Sequence, residues 1–201
     1  AGLWHMDGAT ARHDAVAWGY AKGATQRGVE LHQLTEVTGV VVEDGKVTAV
    51  KAKQGSAEHT IECGCAVQAV SGHSSLLAEK AGFKLPIVSY PLQAMVTQPV
   101  KPFLDPLVSS PANLKLMRQW TGLTDMTSDY SPIMGLSPVK NYYLDAGWGT
   151  WGFKSTPICG QAMAELVASG GKVPELIKPF GVERFSEFRQ VNEMGATAAS
   201  H

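Results

Sequence analysis

Apolar positions first recur at helical spacing after Asp14, where Val16, Tyr20 and Thr25 combine with the intervening alanines into a partly apolar face. This pattern predicts a helix from about Ala15 to Arg27, capped by Asp14 and stopped at Gly28. Gly19 and Gly23 weaken it, and their spacing with Ala15 suggests close packing on another backbone. The period then becomes strand-like. The runs "VELHQL", "EVTGVVVE", "KVTAVKAK" and "EHTIEC" predict strands, with Asp44-Gly45 as a hairpin turn between the second and third. The apolar run "AVQAV" then leads through Ser71-Gly72-His73 into a short helix, "SSLLAEKAG".

From Leu85 the pattern changes. "LPIVSYPLQAMVTQPVKPFLDP" carries five prolines among β-branched residues and predicts extended chain ending in a rigid linker. "VSSPANL" is turn-like, and "MRQWTGLTDMTSDYSPIMG" predicts short extended pieces and turns. "NYYLDAG" predicts a buried strand before a glycine-rich turn. A helix follows from about Pro157 to Ala168, with Thr156 as its cap and Pro157 in its first turn. "PFGVERFSEF" predicts a short helix pinned by aromatics. The order helix, strand, hairpin, strand, helix is that of an α/β domain with an antiparallel excursion.

Composition narrows the class. The 201 residues suffice for one ordinary domain or for parts of two interleaved ones. A 44% hydrophobic and 17% charged chain is globular in character. A formal net charge of −1 provides no field to recruit nucleic acid or an anionic membrane. No apolar run approaches the length of a membrane span, and no signal peptide is visible; the odd, sparse set of cysteines suits a reducing cytoplasm, where the protein is expected. The first residue is Ala1 and not methionine, which predicts a fragment or a processed product. Cys63, Cys65 and Cys159 are too few, and odd in number, for a disulfide framework. Cys63-Gly-Cys65 is half of a metal site without its other half, and no metal is expected.

Two stretches carry candidate chemistry. In "ATARHDAVAW", His13 stands between Arg12 and Asp14 at a loop-to-helix junction, where the plain reading is a polar surface residue. In "GWGTWG", Gly147 to Gly152 match G-x-G-x-x-G after a strand. A dinucleotide site needs a helix opening at once and an acidic residue at the end of the next strand. "FKSTP" intervenes before the helix and no strand follows at the proper distance, so an NAD-type site is not expected. A tight turn with two core tryptophans is the plain alternative. A further reading is that the glycines let the backbone lie flat against a ring system. The N–H groups of the next helix would then suit the electron-rich edge of a reduced flavin. Lys154 in this loop is either a surface lysine or faces a carboxylate bound over the ring.

Several segments in order resemble the β subunit of heterotetrameric sarcosine oxidase, in the D-amino-acid-oxidase-like flavoprotein group. They are "TARHDAVAWGYA", "GVELHQLTEVTGV", "GHSSLLAEKAGFKLP", "YPLQAMVTQPVKP", "RQWTGLTDMTSDYSPI", "SPVKNYYLDAGWGTWGFKSTP" and "PFGVERF". The resemblance implies an incomplete fold of that group: a flavin-binding domain from 1–84 and 136–201, and a truncated antiparallel substrate domain from 85–135. It implies oxidation of N-methyl amino acids to an imine that hydrolyses to glycine and formaldehyde, with FAD held noncovalently. It also implies FMN held covalently between this subunit and the α subunit of a heterotetramer, and His13 occupies the place of the histidine that carries it.

By the same resemblance, Val37 touches the FAD adenine through its backbone, and Ser71 and Gly72 border the cofactor. Gly147, Gly149, Gly152 and Phe153 form the turn beside the isoalloxazine, and Lys154 binds the substrate carboxylate. A histidine beside a helix N-terminus and Arg12 sees positive charge, which disfavours imidazolium and leaves a lone pair free to attack a flavin methyl position. Arg12 is placed to stabilise negative charge on that flavin. Against the family pattern, the N-terminal G-x-G-x-x-G region and a stretch near 110–116 are missing. Trp151 replaces a glycine, Ile158-Cys159 replace small residues and Val70 replaces a glycine. These departures leave a non-catalytic, subunit-binding or FMN-holding remnant as the alternative.

Overall fold

The computed structural model describes residues 11–98 and 115–191. The chain divides into two compact units, Ala1–Leu34 with Gln93–Trp120, and Thr35–Leu92 with Thr121–His201. The rigid linker expected around Pro102 and the turn-like "VSSPANL" lie outside the described residues.

In the first unit, helix α1 spans His13–Thr25. It begins two residues before the expected start. Arg12, not Asp14, holds the N-cap position and makes no side-chain cap. Asp14 falls instead in the first turn, where a carboxylate complements the helix dipole, and it accepts a 2.8 Å bond from Arg12 Nη2. The helix buries none of its residues. The expected strand at "VELHQL" does not form, and Val29, Leu31 and Leu34 are exposed. The apolar pattern suits a strand, but no strand among the described residues pairs with it, and an unpaired strand has no ladder to hold it.

Strands β5 (Ile87–Thr97) and β6 (Leu116–Thr127) pair in a two-stranded sheet. The short pieces expected after Met117 are thus one twelve-residue strand in their first part.

The second unit starts with an antiparallel meander of β1 (Thr35–Glu43), β2 (Lys46–Gln54) and β3 (Ala57–Glu62). Asp44 and Gly45 turn the first hairpin with φ of 49° and 72°. A two-residue turn with both residues left-handed matches the twist of the flanking strands, which is why Asp-Gly serves there. A second sheet has the order β4-β8-β7, from Ala66–Gln68, Tyr142–Ala146 and Ile133–Leu136. β4 runs parallel to β8, and β7 antiparallel to it.

β8 shows how this sheet organises the core. Tyr142, Leu144 and Ala146 pack with Val47, Leu85, Ile87 and Ile133. Helix α2 (Ser74–Lys80) adds Ala78 on that side. Tyr143 points the other way, to Met134 and to Ala162, Met163 and Leu166 of helix α3 (Gly152–Ala168). The two-residue period of the strand separates the two cores. Each fully buried Leu or Ile in them contributes on the order of 1.5–3 kcal/mol relative to exposure.

α3 begins at Gly152, five residues before the expected start at Pro157, so "FKSTP" belongs to the helix. Pro157 lacks the N–H that would bond the Phe153 carbonyl, and the Thr156 hydroxyl donates to that carbonyl instead, at 2.8 Å. The tail folds as two 3-10 turns, Glu175–Phe180 and Val182–Phe185. Phe180 and Phe185 pack against the two cores, as expected of a tail pinned by aromatics, and a buried ion pair holds it as well. Arg184 is 1% exposed and forms an ion pair with buried Asp129.

Candidate cofactor cleft

A cleft of about 460 Å³ opens where β4, the end of β6, the end of β8 and the start of α3 meet. This volume lies within the range of small-molecule and cofactor sites. Ala69 and Ser71 line one part, Asp125 and Asp145 another, and Trp148, Gly149 and Thr150 a third. Gly152, Phe153, Thr156, Cys159 and Gly160 of α3 complete the lining.

The turn from β8 into α3 is held from beneath by Asp125, which is 1% exposed. Its Oδ2 accepts the Gly147 N–H at 2.5 Å, its backbone carbonyl accepts the Gly149 N–H at 2.8 Å, and its Oδ1 accepts the Ser71 hydroxyl at 3.4 Å. Gly147 and Gly149 have φ of 74° and 56°. A Cβ at Gly147 would lie 2.7 Å from Thr127 Cγ2, one at Gly149 2.6 Å from Met126 Sδ, and one at Gly152 2.9 Å from Trp148 Cβ. Packing on the protein's own side chains therefore requires glycine at 147 and 152, whereas at 149 the left-handed φ favours it and the flexible Met126 thioether can give way. Packing likewise requires Gly72, whose Cβ would lie 2.6 Å from Leu123 Cβ.

The helix does open at the third glycine of "GWGTWG", contrary to the sequence-based expectation, because Pro157 is accommodated inside it. No side chain caps its N-terminus, so the first-turn N–H groups are not engaged by a capping residue. The plain reading of two core tryptophans does not hold. Trp148 is half-buried and donates through Nε1 to Asp145 Oδ1 at 2.6 Å, whereas Trp151 is on the surface.

Asp145 follows Tyr143 by two residues on β8 and so shares its α3-facing side. Burial pushes its carboxyl above the usual carboxylate range, Asp125 pushes it further, and the Trp148 bond opposes both. Burial and then Asp145 likewise raise the Cys159 thiol, which favours the neutral form. Sequence reasoning did not single out either aspartate. The signal was present in "NYYLDAG", where strict alternation puts an acid on a buried face.

The residues marked in the sequence are distributed unevenly. Ser71, Gly149, Gly152 and Phe153 line the cleft. Gly147 and Gly72 form part of its support: Gly147 donates to Asp125, and the Gly72 carbonyl accepts the Ser89 hydroxyl at 2.6 Å. Lys154 is exposed and sets its ammonium 4.8 Å from the Trp151 ring centroid, outside the lining. Val37 lies on β1 beside a bulge, also outside it. Arg12 and His13 are exposed at the start of α1 in the other unit. Asp14 counters the Arg12 charge, so His13 does not face two uncompensated sources of positive charge. Among the described residues no His/Cys/Asp/Glu group could hold a metal ion, and no helix is long and apolar enough to cross a membrane.

A family model described as FAD dependent oxidoreductase matches residues 1–114 and 103–166. A sarcosine oxidase subunit beta from Rhodobacter capsulatus is 39% identical over 99% of this chain and 58% of that protein. One from Rhizobium meliloti is 35% identical over 98% of this chain and 58% of its own length. Both matches leave the chain spanning 58% of these curated relatives. Among solved structures, L-proline dehydrogenase from P. horikoshii superposes with a TM-score of 0.72 at 25% identity, covering 88% of this chain and 60% of that one.

Proposed function

We propose, for a chain that belongs to the FAD dependent oxidoreductase family, a role in oxidising sarcosine or a related N-methyl amino acid to its imine. The imine then hydrolyses to glycine and formaldehyde. The chain acts as the β subunit of a multisubunit cytoplasmic oxidase, and its partners include an α subunit. The observation that carries this reading is the cleft at the β8–α3 turn, which is formed by segments shared with relatives named sarcosine oxidase subunit beta.

The residues present suit a flavin ring. Trp148 and Phe153 provide aromatic surface, and the α3 N-terminus provides N–H donors without a capping side chain. FAD, held noncovalently, supplies the acceptor for the two electrons of amine oxidation. Ser71, Gly149, Gly152 and Phe153, which line the cleft, would hold the ring, and Gly72 and Gly147 keep the wall in position. Val37 contributes backbone contact to the adenine end, and Lys154 attracts the substrate carboxylate. In this reading 1–84 and 136–201 form the flavin-binding domain and 85–135 the substrate domain.

His13 would carry FMN covalently, with Arg12 beside it, and that FMN would serve as the acceptor of electrons from FAD. Support for this assignment comes from the exposure of His13 at the first turn of α1, where its ring is accessible to a ligand. A second reading, a non-catalytic subunit-binding or FMN-holding module, is favoured by one observation. Lys154 stacks over Trp151 and does not line the cleft.

The test is to purify the chain with its partner subunit and denature the complex. The first reading requires released FAD, flavin that stays with this polypeptide in the parent but not in His13→Ala, and bleaching by sarcosine. Retained colour without bleaching selects the second reading. Absence of any flavin overturns both.

A further inference from the structure

Among the described residues, one carboxylate oxygen of the cleft, Asp145 Oδ2, has no hydrogen-bond donor. Both side-chain oxygens of Asp125 accept hydrogen bonds, from the Gly147 N–H and the Ser71 hydroxyl. Asp145 uses Oδ1 to accept the Trp148 indole N–H, and its Oδ2 has no donor among the described residues. Among the described residues the lining contains no Lys, Arg or His, and its two ionisable carboxyl groups set its electrostatic character. Such a wall disfavours a phosphate or carboxylate and favours a neutral group that donates a hydrogen bond. Beside it, the uncapped start of α3 offers N–H donors. Acceptor and donors thus line one aromatic-walled cleft.

We propose that Asp145 fixes the orientation of a planar heteroaromatic ligand by accepting, through Oδ2, the N–H of an imide edge whose flanking carbonyl is met by the α3 N-terminus. This inference rests on the flavin reading. The isoalloxazine ring has one such edge, a single ring N–H between two carbonyls. Trp148 holds the carboxylate in the required orientation through Oδ1, and Asp125 holds the turn that carries Trp148.

Lumiflavin tests this without any contribution from a phosphate, and 3-methyllumiflavin has the same ring with the imide N–H replaced by N–CH3. Binding of each to the 201-residue chain is measured by quenching of flavin fluorescence. The parent chain binds lumiflavin about tenfold or more tightly than the methylated ring, the effect of one hydrogen bond to a charged acceptor. In Asp145→Asn the amide carbonyl still accepts the Trp148 indole but an NH2 faces the ligand. Lumiflavin binding then weakens by a similar factor and the discrimination between the two rings disappears. Trp148→Phe keeps the carboxylate but loses the bond that orients it, so its discrimination between the two rings is smaller than the parent's.

Circular dichroism verifies the fold of each variant. If Asp145→Asn does not fold, the parent's preference between the two rings decides alone. A parent chain that binds both equally, or an Asp145→Asn variant that discriminates as the parent does, overturns the role of Asp145 and leaves the flavin reading standing. A parent chain that binds neither lumiflavin nor FAD overturns both.

Discussion

Arg184 donates through Nε and Nη2 to the two oxygens of Asp129, at 2.8 and 2.9 Å, with both residues buried. The guanidinium also donates to the carbonyls of Phe180 at 2.9 Å and Ser131 at 2.8 Å. One side chain therefore ties the C-terminal 3-10 turns to the turn between β6 and β7. Removing one partner leaves a buried charge without compensation, which costs about 3–5 kcal/mol. Asp129→Ala and Arg184→Ala should each lower unfolding free energy by that amount in urea titration. The double variant Asp129→Leu/Arg184→Met should lose less than the sum.

The same pair gives the protein an acid-sensitive element. Burial pushes the Asp129 carboxyl up, but hydrogen bonds from Arg184 and the Val191 N–H, with the Arg184 charge, outweigh it and hold the group below 3.8. A depressed folded pKa means that the contribution is present above 3.8 and is lost as pH falls through the lower folded value. Stability measured from neutral pH into strong acid should fall less steeply in Asp129→Asn than in the parent.

Tyr142 acts at the opposite end of the pH scale. Its hydroxyl donates to Gln68 Oε1 at 2.7 Å, and burial pushes its pKa from 10.0 up to about 12. The folded state keeps the proton where the unfolded chain releases it. This contribution is fully present below 10.0 and is lost as pH rises to about 12. Tyr142→Phe should lose about 1–3 kcal/mol near neutrality, because buried Gln68 loses its donor. Its stability should then vary less than the parent's across the alkaline window.

The turn glycines can be separated by cause. Gly170 has φ of 69° with nothing within 4 Å of an added Cβ, so Gly170→Ala carries only left-handed strain, roughly 1–2 kcal/mol. Gly147 has φ of 74° and a Thr127 methyl at 2.7 Å, so Gly147→Ala adds overpacking of roughly 1–3 kcal/mol. Thermal unfolding should show Gly147→Ala as the less stable variant.

Where local chemistry decides, the sequence was readable. Asp44-Gly45 announces the β1–β2 turn because few residue pairs accept two left-handed conformations in succession. Thr156-Pro157 misled for a physical reason: the pair that opens a helix also serves inside one when the threonine hydroxyl takes over the carbonyl that proline leaves free. "VELHQL" has the pattern of a strand, but pattern alone does not show whether a neighbouring strand exists. Of the residues that the family resemblance suggested, Ser71, Gly149, Gly152 and Phe153 line the cleft. Asp125 and Asp145 were not, since they meet only when β6 and β8 are brought together by the fold. Arg184 and Asp129, 55 residues apart, were hidden for the same reason.

The most direct test of the account is anaerobic addition of sarcosine to the chain copurified with its partner subunit, followed through the flavin absorbance. The account predicts a yellow complex whose colour bleaches on addition of sarcosine and returns with oxygen. A complex that remains yellow throughout, or carries no flavin, contradicts it.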